Sequence, residues 1–266
     1  MNRRLLSILL SSVVFLSTLS IPAFAAAPQP GGKGTVMLAH HYGLAFAGIG
    51  VDNPPDITGV QLGLHCMARD AAGVQMGIGS SARRMSGLQF SLAASMTSER
   101  LNGMQFALAI TEAEQGMDGL QLSFFRSSVG NHVCKDKHGN RIEPEHTTTS
   151  SGVQFSICGT YAENLNGIQL AFWDAYAQDL DGIQISVLHT AERFSGIQAG
   201  LWNNAGIEGH HATGLQLGLV NTSDDFSGLQ LGLLNRSKKL KGIQIGLVNI
   251  CDSSSMPVLP ILNASF

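Results

Sequence analysis

Apolar and polar positions alternate in short bursts between Gly59 and Leu247, and every burst spells the same phrase: Gly, apolar, Gln, apolar, small, apolar. The phrase occurs twelve times, opening at Gly59, Gly73, Gly87, Gly103, Gly119, Gly152, Gly167, Gly182, Gly196, Gly214, Gly228 and Gly242. Its third residue is always glutamine: Gln61, Gln75, Gln89, Gln105, Gln121, Gln154, Gln169, Gln184, Gln198, Gln216, Gln230 and Gln244. The fifth is always Gly, Ser or Ala, and the three apolar slots stay apolar down to Ala199, the weakest. Alternation of this kind is the period-two signature of a β-strand with two unlike faces; a helix would need recurrence every 3.6 residues. Copies follow one another mostly at 14 to 16 residues, with one gap of 18 and one of 33. So short a period predicts an all-β repeat architecture.

The residues between the bursts support corners. A glycine opens each phrase, suited to a bend that needs positive φ or close backbone approach. Asn203, Asn221, Asn235 and Asn249 follow the later phrases, and Asn tolerates left-handed backbone. Leu101, Leu165, Leu180, Phe194, Phe226 and Leu240 stand two places before the next glycine, where they can fill the far side of a thin core.

Two architectures fit. In a β-solenoid of about twelve 14–16-residue repeats, strands stack in parallel, the apolar trio points inward, and Gln with its small neighbour forms an outer face. There the stacked glutamines can hydrogen-bond as a ladder. In an antiparallel outer-membrane β-barrel, the apolar trio faces lipid and Gln lines the lumen. Magnitude favours the solenoid. A lipid-facing band stands about 25 Å tall, whereas three alternate residues cover only about 13 Å along a strand. The terminal Phe266 on an alternating strand keeps the barrel, and with it a pore or transport role, as the alternative.

Residues 1–25 have the form of an export signal: Arg3 and Arg4, an apolar run, then Ala23-Phe24-Ala25 as a small-x-small cleavage site. Residues 26–58 read as a Pro/Gly-rich linker followed by an N-terminal strand or cap, with Gly43–Val51 as a cap or a decayed first repeat. The array occupies 59–251, with inserted loops at 125–151 and 203–213, and 252–266 is a C-terminal strand or cap. Without the leader the chain keeps 14 basic against 19 acidic residues. That mild acidity gives no electrostatic case for nucleic acid or anionic lipid.

Four cysteines in an oxidising compartment permit two bridges. A stacked rod would hold Cys66 and Cys251 too far apart to join. The solenoid therefore predicts Cys134–Cys158 alone, or no bridge. The 125–151 loop also gathers His132, Cys134, His138, Glu143, Glu145 and His146, residue types that ligate transition metals. Their spacing matches no zinc pattern, and a polar loop is the simpler reading. Glu208, His210 and His211 in the second loop, and His40-His41, read the same way. No nucleophile motif, phosphate loop or carboxylate pair is present, so the expectation is a non-enzymatic protein without cofactor.

The tandem Gly-Leu-Gln-x-Gly-Leu-x-Asn phrases, with the Pro257-x-x-Pro260-x-x-Asn263 ending, resemble the bacterial surface repeat-containing proteins over roughly Gly59 to Phe266. The resemblance implies an exported protein at the surface or envelope of a double-membraned bacterium, and carries no catalytic residues. In the middle copies Arg126, Gly159, Asp174 and His189 stand where the final Asn is expected. The expected role is structural or adhesive, with a protein or glycan partner at the cell surface and membrane association left open.

Overall fold

The computed structural model describes residues 42–47, 54, 56–130 and 149–265. They form a β-solenoid. Glutamine pairs with glutamine and glycine with glycine from coil to coil, as in Gly214↔Gly228↔Gly242 and Gln216↔Gln230↔Gln244. All pairings are parallel except the last, where Val258–Ser265 runs antiparallel to the final coil. A barrel meander would pair its strands antiparallel throughout. The barrel alternative is therefore set aside.

Each coil is built from three in-register stretches. In the coil opening at Gly228 these are Gly228–Leu231, Leu234–Ser237 and Lys239–Lys241. The first is the repeated phrase; the second begins after a bend at Gly232 and Leu233. The third leads back to the next glycine. Gly228 has φ +137°, and a Cβ built there would stand 2.0 Å from the Gly214 carbonyl oxygen. The repeated glycine is thus required by the stack itself: any side chain would strike the coil before it.

Five inward positions per coil fill the interior. In one coil they are Gln230, Gly232, Asn235, Ser237 and Leu240, and those with polar or large side chains are all buried. Leu101, Leu165, Leu180, Phe194, Phe226 and Leu240 lie inside as expected, Leu101 and Phe226 fully so, while buried Ser150 takes the same place before Gly152. Ala113, Ala162, Ala177, Ala191 and Ala205 form a small-residue column beside them, which keeps the coil thin. Cys66 and Cys251 are buried in the first and last coils of the array, and Cys158 is exposed. Among the described residues these three carry no disulfide.

The facing of the phrase is the reverse of the expectation. Gln is inside and the apolar trio is outside. Period two dictates only that neighbours point apart; which set faces inward is settled by size and by hydrogen bonding. The coil is too narrow for three large side chains on its first stretch. At the fifth position of the last phrase, a Cβ on Gly246 would lie 2.2 Å from the Gly232 carbonyl oxygen and 2.6 Å from Asn235 Nδ2.

Length variation is confined to corners. Both insertions leave from the same corner, after Val129 and after Ala205, which occupy one column. The second is shorter than the sequence suggests. Asn203–Ala205 and His211–Thr213 belong to regular coils, and only a 3-10 turn at Ile207–Gly209 with its flanks protrudes. At the start, Tyr42–Ala47 pairs in parallel with Thr58–Gly63, Gly43 opposite Gly59 and Ala45 opposite Gln61. This is the register of a decayed first repeat.

Candidate interaction surface

The interior carries polar chemistry, and its columns of amides are engaged in holding coils together. Gln75 Nε2 donates to Gln61 Oε1 at 2.6 Å, and the relation repeats along the stack. Gln169 donates to Gln154 at 2.9 Å, across the coil that carries the long insertion's far end. Gln244 donates to Gln230 at 2.7 Å. Many of these amides use their second N–H on a main-chain carbonyl of the second stretch: Gln105 on Glu112, Gln169 on Tyr176, Gln244 on Ile250. Each of these glutamines is thereby a brace across the coil as well as a rung along it. A shorter amide would not span the gap, and a glutamate column would stack like charges about 4.8 Å apart. Every rung points the same way, the later coil donating to the earlier.

A second ladder runs with opposite polarity. Asn203 Nδ2 donates to Asn221 Oδ1 at 2.7 Å, Asn221 to Asn235 at 2.7 Å, and Asn235 to Asn249 at 2.8 Å, the earlier coil donating to the later. The two rows of aligned amide dipoles oppose each other over the last four coils. The column extends back through Ser127, Thr160, Ala175 and His189. Arg126, Gly159 and Asp174, expected at the Asn position, pair with one another one place earlier, outside that column, because these longer coils take an extra residue at the preceding corner. His189 does occupy the column. Its Nε2 lies 2.9 Å from the Ala199 carbonyl oxygen and 3.0 Å from the Ser186 amide nitrogen, and its Nδ1 lies 3.2 Å from Ser186 Oγ. Burial pushes its pKa down to about 4. Next in the column, Asn203 Oδ1 is buried without a partner.

The twelve glutamines assigned by sequence to an outer face therefore offer nothing to solvent. What solvent meets instead is the apolar trio. Leu64, Ile78, Leu92, Leu108, Phe124, Leu201, Leu219, Leu233 and Leu247 form its outermost column and are about half to two-thirds exposed. Beside them Met76, Phe155, Ile185 and Ile245 are exposed from the middle column. The outward columns are ladders too: the Phe90 and Phe106 rings stack at 4.8 Å and 6°. Monomeric proteins rarely expose a contiguous apolar patch beyond a few hundred Å². Here it runs the whole length of the array.

Most ion pairs lie on the third stretch and the corner before it, although Glu112, Arg126, Asp174 and Arg236 stand on the second. Arg84 forks onto Asp70, Nε to Oδ1 at 2.8 Å and Nη2 to Oδ2 at 2.6 Å. Arg69 takes Asp56 in the same way, and Arg193 takes Asp179. Lys238 meets Asp224 at 2.6 Å. These pairs tie coil to coil, and the Arg84 guanidinium holds the Asp70 carboxyl below the usual carboxylate range. Being exposed, each contributes little to stability. His211 Nδ1 sits 3.1 Å from Asp225 Oδ1 as part of this surface.

His40, His41, His132, Cys134, His138, Glu143, Glu145 and His146 lie outside the described residues, as do the leader and the Cys134–Cys158 pairing. Among the described residues no group of three or more His, Cys, Asp or Glu is placed to hold a metal ion. The apolar face was missed by sequence reasoning, although a signal for it existed. Slots two, four and six accept anything from Ala199 to Phe155, whereas slot three is invariant and slot five is limited to the smallest residues. Tight restriction marks a packed interior; tolerance marks a surface.

Fold and surface together define a parallel β-solenoid with a braced polar interior and an amphipathic exterior. Compared with protein-family models, curated proteins and solved structures, the chain matches none.

Proposed function

We propose that this chain is a non-enzymatic, exported repeat protein of the bacterial surface or envelope, which works by presenting its apolar face to a macromolecular partner. The observation that carries this reading is the outward apolar trio, repeated coil after coil, with most ion pairs on other stretches of the coil. Such a face suits a protein surface better than a glycan, which needs a denser set of hydrogen-bonding groups. The interior amides are committed to the two ladders and have no access to a substrate. The leader-like residues 1–25 and the resemblance to surface repeat-containing proteins support export.

The test is fractionation of the producing cell, with a carbonate wash of membranes before detergent. The expected result is mature protein in the envelope or culture fraction, released from membranes by carbonate. Full-length protein retaining residues 1–25 in the cytoplasm would overturn the reading.

A further inference from the structure

We infer that the apolar face is covered by a second copy of this chain, the two solenoids packing sheet against sheet. The inference rests on the reading of that face as the working surface and names its occupant.

Three observations favour a second copy. The first is shape. The repeated phrases stack in register from Gly59 to Gly242, so the outward columns are aligned rows of similar side chains. Rows of this kind interdigitate with an identical set of rows, as the inner faces of stacked sheets do at about 10 Å.

The second is area. Twelve strands at about 4.8 Å, carrying a strip about 13 Å wide, present roughly 700 Å². Two copies would remove about 1,400 Å² from water, inside the range of specific, stable interfaces.

The third is the rim. The residues just before the repeat glycines flank the strip, and they are mostly small and uncharged. Asp118 and Asp181 are acidic, and Lys241 is the single base among those flanking the described phrases. A sheet face that lay on anionic lipid would be fringed with Lys and Arg. This rim lacks that fringe. It also sets no large like-charge block against itself when two copies meet.

The experiment is sedimentation equilibrium of the mature chain from nanomolar to tens of micromolar, together with the face variants Ile185→Lys and Leu219→Lys. Ile185→Thr serves as a gentler variant should a lysine disturb folding. Both chosen residues are about half exposed in the single chain, so their replacement leaves the interior intact. The expected result is a wild-type dimer, with dimer affinity weakened at least tenfold in each lysine variant and less in the threonine variant. Unchanged melting at nanomolar concentration would show that the variants fold. A wild-type chain monomeric at tens of micromolar would overturn the inference, as would a dimer insensitive to all three substitutions. Flotation with vesicles of neutral and of anionic lipid separates the two failures. A monomer that floats through the face, and stops floating in Ile185→Lys, would sink the second copy while the face remained the working surface. A monomer indifferent to lipid, whose envelope fractionation is unchanged by the same variants, would sink both.

Discussion

Asn263 closes the glutamine column: its Nδ2 donates to Gln244 Oε1 at 2.9 Å from a strand that runs against the direction of every coil before it. The last rung would otherwise leave a buried amide oxygen unpaired, and the last coil would offer a bare sheet edge. The antiparallel strand Val258–Ser265 answers both needs.

Replacing Asn263 by Ala should therefore cost about 1–3 kcal/mol, the penalty of an unsatisfied buried acceptor. Urea unfolding would measure it. Removing residues 258–266 altogether should convert a bounded assembly into one that grows end to end, visible by light scattering. A truncated chain of unchanged size and stability would show that the strand is not a cap.

The rung at Gln169 makes a sharper test of the interior. Its Nε2 serves both Gln154 Oε1 and the Tyr176 carbonyl, and its Oε1 receives Gln184 Nε2. Gln169→Glu keeps shape and volume but places an acceptor against two acceptors. The carboxyl should remain protonated well above its ordinary pKa, because burial and both oxygens oppose ionisation. The variant is expected to lose several kcal/mol at pH 7 and to recover part of that at pH 5, by the same unfolding measurement. Equal stability at both pH values would show the carboxylate to be accommodated.

His189 and Asp174 give the protein opposing responses to acid. The folded pKa of His189 is depressed to about 4, so the unfolded chain binds the proton first. Its contribution is present above the ordinary histidine pKa and is lost as pH falls towards 4. Asp174, on the outward corner beside Trp173, is raised to about 6 by burial. Its protonated form favours the fold, so its contribution is present at low pH and is lost as pH rises through 6. Each is worth at most about 3 kcal/mol, and in the wild type they largely cancel between pH 4 and 6. His189→Asn should leave stability falling with pH across that window, and Asp174→Asn should leave it rising. His189→Asn should also stabilise the protein at pH 7 by about 1 kcal/mol. Its amide would extend the asparagine ladder by one rung and supply the donor that Asn203 Oδ1 lacks. Chemical unfolding at pH 4, 5, 6 and 7 tests all three; parallel pH profiles for wild type and both variants would refute the assignment.

By itself the sequence determined a great deal. Twelve copies of one phrase dictated strands and coil length, and the short apolar band favoured stacked coils over a membrane barrel. The buried apolar residue that commonly precedes the glycine, as at Leu101 and Phe226, was legible too, because its spacing from the glycine is constant. Only the tertiary structure decided which face of the phrase is inside. Alternation is symmetric: Leu229 and Gln230 must point apart, but nothing local says which of them meets solvent. The choice depends on the width of the closed coil and on the main-chain carbonyls opposite, which exist only once the second stretch has folded back across the first. There the Gln244 amide finds both Gln230 and the Ile250 carbonyl, and glutamine becomes the better interior residue. Register at the corners was likewise beyond local reading. An extra residue before Asp174 turns it outward and puts Ala175 in the column, and only pairing with the neighbouring coil fixes that shift. The same geometry displaced the apolar trio to the surface.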